Sequence, residues 1–136
     1  TIHALLTKTV VDADACINEL DFSGAINQVK TFIEHINGYV TEQEPWVLAK
    51  SEETQGALAT VLYTVCESLR AIAILYNPVM PKAMTELWSN IGAFESLGKL
   101  DDQPVHTANT WGQLPVGVRV TKGASLFPRL EDPENV

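Results

Sequence analysis

A chain of 136 residues that is 46% hydrophobic and 19% charged has the length of one domain and enough apolar content for a buried core, which argues against disorder. Nine basic residues against 17 acidic ones give a formal net charge of −8, which argues against DNA binding and against RNA binding that rests on phosphate neutralisation. No apolar run approaches the roughly 20 residues that cross a bilayer and the start has no signal-peptide pattern, so the expected compartment is the cytosol, with no membrane partner.

Residues 2–20 place Ile2, Leu5, Leu6, Thr9, Ala13, Cys16, Ile17 and Leu20 at spacings of three and four, which predicts an amphipathic helix. Asp21 can cap a second helix over 22–43, whose stripe is Phe22, Ile26, Val29, Ile33, Ile36 and Val40. Gly24 and Gly38 each cost that helix about 1 kcal/mol relative to alanine, so packing must sustain it. Pro45 removes a backbone donor and pushes Glu44 out of the α region, which ends the helix near Gln43 and sets Trp46 in a short link.

Ser51 starts a third helix over 52–76, in which Leu58, Leu62, Val65, Leu69, Ile72 and Tyr76 repeat the stripe. Its opposite face is expected to carry Glu67 and Arg70 as an i, i+3 structural ion pair. Asn77-Pro78 closes it. Pro81 suits the first turn of a fourth helix over 81–91, with Met84, Leu87, Trp88 and Ile91 aligned before Gly92. The fold class expected is all-α: an antiparallel bundle of about four helices.

From about 94 to 131, repeated Gly, Pro and Asp residues break helical runs, and only Val116, Val118 and Val120 alternate like a short strand. Trp111, Leu114, Leu126 and Phe127 are too apolar for a solvated linker, so this ordered tail should fold back on the bundle. Asp132 to Val136 are expected to be free.

No catalytic residue is visible. His3, His35 and His106 lie in different elements without metal-ligand spacing, Cys16 and Cys66 form no C-x-x-C, and no glycine-rich loop cradles phosphate, so neither a metal site nor a cofactor is expected in these residues. The acidic pairs Glu42 with Glu44 and Asp101 with Asp102 lack an apolar surround that would raise a pKa, and read as solvated faces.

Asn37-Gly38-Tyr39, Glu42-Gln43-Glu44-Pro45-Trp46 and Leu48-Ala49-Lys50 resemble the N-x-Y-x-x-E-Q-x-P-W-x-L-A-K signature of methionyl-tRNA synthetases, in their C-terminal anticodon-binding helical domain. The resemblance continues through Leu62-Tyr63, Glu67-x-Leu69-Arg70, Pro78-x-Met80-Pro81 and Leu126-Phe127-Pro128-Arg129. Valyl-, leucyl-, isoleucyl- and cysteinyl-tRNA synthetases have related domains and remain alternatives, as does a non-catalytic helical interaction module.

The resemblance implies that the partners are a tRNA anticodon loop and a catalytic domain of the same polypeptide. It implies that the parent enzyme uses ATP, with Mg, to attach methionine to its tRNA. Trp46 matches the tryptophan that stacks on the first base of the CAU anticodon, beside Pro45. Asn37 is a minor candidate for the same loop, and with Tyr39 is expected to fix the helix against its neighbours. Gly38 and Glu44 depart from the basic residue and the alanine usual there, which should weaken RNA affinity. The resemblance further implies that the Asn and Arg reading the base lie upstream of Thr1.

Overall fold

The computed structural model describes residues 1–130; the expectation for Asp132 to Val136 lies outside the described residues. Helix α1 spans Ile2–Asn18, α2 Phe22–Gln43, α3 Pro45–Leu48, α4 Gln55–Tyr76, α5 Pro81–Asn90 and α6 Ala93–Leu97. Short 3₁₀ turns at Glu52–Thr54, Leu100–Asp102 and Val105–Asn109 complete the order. α1 lies along α2, α2 along α4, and α4 along α5. The Tyr76 hydroxyl at the end of α4 donates to the Ile26 carbonyl near the start of α2, at 2.9 Å, so the two run antiparallel.

The expected stripes reach the core only in part: Ile17, Phe22, Ile26 and Leu62, assigned inward, are 38% to 58% exposed. Leu6, Val29, Phe32, Ile36, Ile72, Met84 and Trp88 are all buried. Phe32, one step off the predicted stripe, is only 1% exposed, because α2 is flanked by both α1 and α4 and buries a wider arc than a period of three and four suggests. Asp21 caps α2 as expected, its carboxylate accepting from the Gly24 N–H at 2.9 Å. The ring of Trp88 is core, and its Nε1 donates to the Gly98 carbonyl at 2.8 Å.

Two expectations at the α1–α2 turn fail. α1 ends at Asn18, and Leu20 is 76% exposed with φ 61°. Its N–H donates to Ile17 O at 3.0 Å and that of Asp21 to Cys16 O at 2.8 Å, the bond pair that closes a helix on a left-handed residue. Glycine is the residue that does this without strain; leucine there costs about 1–2 kcal/mol.

The larger correction is the Glu67–Arg70 pair, expected on the face opposite the core. Both are buried, at 0% and 1% exposure, because the tail crosses that face. Arg70 Nε donates to Glu67 Oε1 at 3.0 Å, and its two terminal nitrogens donate to the carbonyls of Thr107 and Thr110 at 3.0 and 2.9 Å. The Glu67 carboxylate accepts from the Gly112 and Leu114 N–H groups at 2.9 and 2.7 Å. One ion pair on α4 thereby fixes four backbone groups of the tail.

α4 also corrects the expectation about apolar runs. With the preceding 3₁₀ turn, Glu52–Tyr76 is long and apolar enough by length and composition to cross a membrane. In this fold it is the central helix, in contact with α1, α2, α3 and α5.

The tail folds back as expected, with Leu114 buried and Tyr63 donating to its carbonyl at 2.7 Å. It begins less irregularly than expected, with α6 and two 3₁₀ turns before Thr110. Val116, Val118 and Val120 form no strand, and the described residues contain none; the segment instead anchors to the end of α5, Thr121 N donating to Asn90 O at 2.8 Å. Leu126 is half-buried, whereas Phe127 is 62% exposed, against expectation. Gly92 (φ 77°) lets the tail approach: a Cβ there would sit 2.5 Å from Val118 Cγ2 and 2.7 Å from Arg119 O. Gly92→Ala is therefore expected to destabilise the fold by about 2 kcal/mol or more, combining left-handed strain with a clash against backbone. A melting temperature equal to that of the parent sequence would contradict this account of the tail.

Candidate nucleic-acid interface

The link between α2 and α4 is built around Glu44. α2 closes with Glu44 N donating to Val40 O at 3.1 Å, and Glu44 turns left-handed at φ 46°, ψ 61°. Its carbonyl then accepts from Val47 N at 2.8 Å and Leu48 N at 3.2 Å. One residue ends α2 and begins α3. A proline at position 45 disfavours the right-handed conformation in the residue before it, and its own missing N–H costs nothing at the first position of a helix. The sequence reading placed Glu44 outside the α region but did not assign it the left-handed turn.

The far side of the link is pinned. Thr54 Oγ1 donates to Leu48 O at 2.6 Å, Lys50 N donates to Val47 O at 3.1 Å, and α3 packs on α4. Pro45 and Leu48 are half-buried while Trp46 and Val47 point outward, at 54% and 46% exposure. The ring is therefore not a core side chain. It is an indole held on a hydrogen-bonded single turn, with more than half its surface open to a planar ligand.

Asn37 is exposed on α2, roughly two turns before Glu44 on the same helical face. It does not brace the helix against a neighbour as expected. Tyr39 is half-buried and lines a shallow cleft together with Ile2 and Leu5 of α1. A Cβ on Gly38 would meet nothing within 4 Å, so the basic residue usual in the resembled family would fit there. The exposed carboxylates of Glu42 and Glu44 stand instead near the ring in sequence. Val47, the second apolar side chain beside Trp46, escaped the sequence reading because its position in a single helical turn has no periodic signature.

Among the described residues, no three His, Cys, Asp or Glu side chains group to hold a metal ion. His3 stacks on Trp111 at a ring-centroid distance of 5.4 Å, and His35 Nδ1 is 2.8 Å from Thr31 O, so each serves its own helix or the tail.

The groups with perturbed acidity lie in the bundle instead. Burial, then the Glu67 charge, raises the Cys66 thiol above its ordinary 9.0. Burial raises the Tyr76 hydroxyl above 10.0, and burial followed by Glu67 raises that of Tyr63, with Arg70 opposing. A raised folded-state pKa stabilises the fold fully below the ordinary value and is lost as pH rises through the folded one. Melting temperature is thus expected to fall as pH rises above about 10, where the tyrosines that bond Leu114 O and Ile26 O begin to favour the unfolded chain by ionising. A flat profile to pH 11 would contradict it.

The family model described as the anticodon-binding domain of tRNA ligase matches residues 1–122. The chain belongs to this family. As an anticodon-binding domain it is 54% identical over 134 residues to a methionine–tRNA ligase of Streptomyces coelicolor, covering 96% of this chain and 25% of that one. It is 35% identical over 132 residues to the methionine–tRNA ligase of Halalkalibacterium halodurans, covering 97% of this chain and 19% of that one. The chain thus spans about a fifth to a quarter of the length of these relatives.

The domain also superposes on the apo form of Mycobacterium tuberculosis methionyl-tRNA synthetase with a TM-score of 0.78 at 26% identity, over 98% of this chain and 27% of that one. A structure of that synthetase in complex with methionyl-adenylate matches with a TM-score of 0.71 at 27% identity, over 95% and 25% of the two chains. The two relatives and both structures are named as methionine–tRNA ligases or methionyl-tRNA synthetases.

Proposed function

We propose that this domain engages the CAU anticodon loop of a methionine tRNA, and that its parent is a cytoplasmic ligase that uses ATP and Mg to attach methionine to that tRNA. The observation that carries the reading is the exposed indole of Trp46 on a pinned turn, at the position of the P-W pair in the family signature. An indole face stacks on a splayed base for about 1–3 kcal/mol without needing a basic surface, which reconciles an RNA partner with a net charge of −8. Pro45 fixes the turn, and Asn37, exposed on the same end of α2, is the minor contact. ATP and Mg fall to the remainder of the parent, since the described residues supply neither a phosphate-cradling loop nor a ligand cluster.

The test is competition. An isolated CAU stem-loop should inhibit charging by the parent polypeptide competitively against full-length tRNA, and a stem-loop with a different first anticodon base should inhibit far less. Equal inhibition by both would refute anticodon reading. The 136-residue chain alone should catalyse no methionine-dependent exchange of pyrophosphate into ATP, and measurable exchange would place a catalytic site where none is seen.

A further inference from the structure

Glu44 carries a charge that its turn does not use. Its backbone ends α2 and starts α3 in the left-handed region, at φ 46° and ψ 61°, where glycine would sit without strain and a side chain is a cost. Although it stands at the N-cap of α3, its side chain makes no capping hydrogen bond. The ion pairs among the described residues are Lys8 with Asp12, Lys30 with Glu34 and Arg70 with Glu67, and none includes Glu44. The side chain is exposed. A strained residue that holds a free carboxylate in solvent points to a use for that carboxylate.

Its place on the link says which use. The exposed indole of Trp46 follows two residues later, on the single turn that Glu44 begins. Glu42, the other exposed carboxylate near the ring in sequence, lines instead the cleft of Thr1, Ile2 and Tyr39 between α1 and α2. Glu44 is therefore the acid beside the platform. A base stacked on an indole keeps its Watson–Crick edge free for neighbouring side chains. An ionised glutamate can only accept hydrogen bonds. It suits the N4 amino group of cytosine, and it repels the carbonyl oxygen that uracil carries at O4 and guanine at O6. The same charge opposes RNA phosphates, so what it adds is choice of base at the expense of affinity.

We propose, on the reading that the first anticodon base stacks on Trp46, that the Glu44 carboxylate accepts a hydrogen bond from the N4 amino group of that cytosine and so selects cytosine over uracil.

The experiment measures charging by the full-length parent and its Glu44→Ala and Glu44→Gln variants. The tRNA carries cytosine, uracil or pyrimidin-2-one, the cytosine ring without its amino group, at the first anticodon position. Removing the amino group is expected to lower kcat/KM about tenfold in the parent and to cost Glu44→Ala almost nothing. Glu44→Gln, whose amide offers N–H groups to O4, should favour cytosine over uracil about tenfold less than the parent does. The melting temperature of Glu44→Ala should equal that of the parent, because the carboxylate bonds nothing within the domain. An amino-group effect of equal size in parent and Glu44→Ala overturns the proposal and leaves base reading at Trp46 intact. A parent indifferent to all three bases overturns the anticodon reading together with it.

Discussion

Trp46→Ala in the full-length parent is expected to lower kcat/KM for tRNA bearing CAU by about 10 to 100-fold, the equivalent of about 1–3 kcal/mol of lost stacking. Methionine activation without tRNA should not change. The alternative for a Pro-Trp pair, a ring wedged into the core, would instead cost roughly 3–5 kcal/mol of stability. At 54% exposure the ring has little core packing to lose, and the link is held by Glu44, Leu48 and Thr54 rather than by the indole. The melting curve should therefore stay within about a degree or two of the parent sequence. Normal melting with undiminished charging would remove Trp46 from the function.

The second large effect is on folding. Removing either partner of the buried pair, as Glu67→Ala or Arg70→Ala, is expected to destabilise the domain by about 3–5 kcal/mol and lower its melting temperature by roughly 10–15 °C. Replacing a buried ion pair by two apolar residues is often harmless, but not here. The pair also satisfies the Gly112 and Leu114 N–H groups and the Thr107 and Thr110 carbonyls, which the double variant Glu67→Met with Arg70→Leu would orphan. The double variant is expected to remain at least as unstable as the singles, with proteolysis first in the tail. Recovery of the parental melting temperature would show that the pair balances only itself.

These residues also mark where the sequence was legible. The three long helices and the fourth could be read because their apolar residues recur at the helical period, and Asp21, Pro45 and Pro81 announce boundaries by chemistry local to each position. The i, i+3 spacing of Glu67 and Arg70 identified a pair but not its burial. What buries it is a segment some 40 residues later in the chain, and periodicity within α4 contains no record of that contact.

The same limit explains Leu20 and Phe127, apolar residues assigned inward that stand in solvent. It also explains Val116 to Val120, whose alternation suits a strand that has no partner among the described residues. At the candidate interface, the proline predicted that Glu44 leaves the α region. The outward direction of Trp46 depends on the left-handed turn and the Thr54 anchor, which the residue types alone do not fix.

The most direct test of the central claim is a double-mutant cycle between Trp46 and the first anticodon base. Charging kinetics of the full-length parent and its Trp46→Ala variant would be measured with intact CAU tRNA and with tRNA abasic at that position. If the ring stacks on the base, removing either should cost about 10 to 100-fold, and removing the second should cost almost nothing further. Losses that multiply independently would mean that indole and base never meet, and would contradict the account.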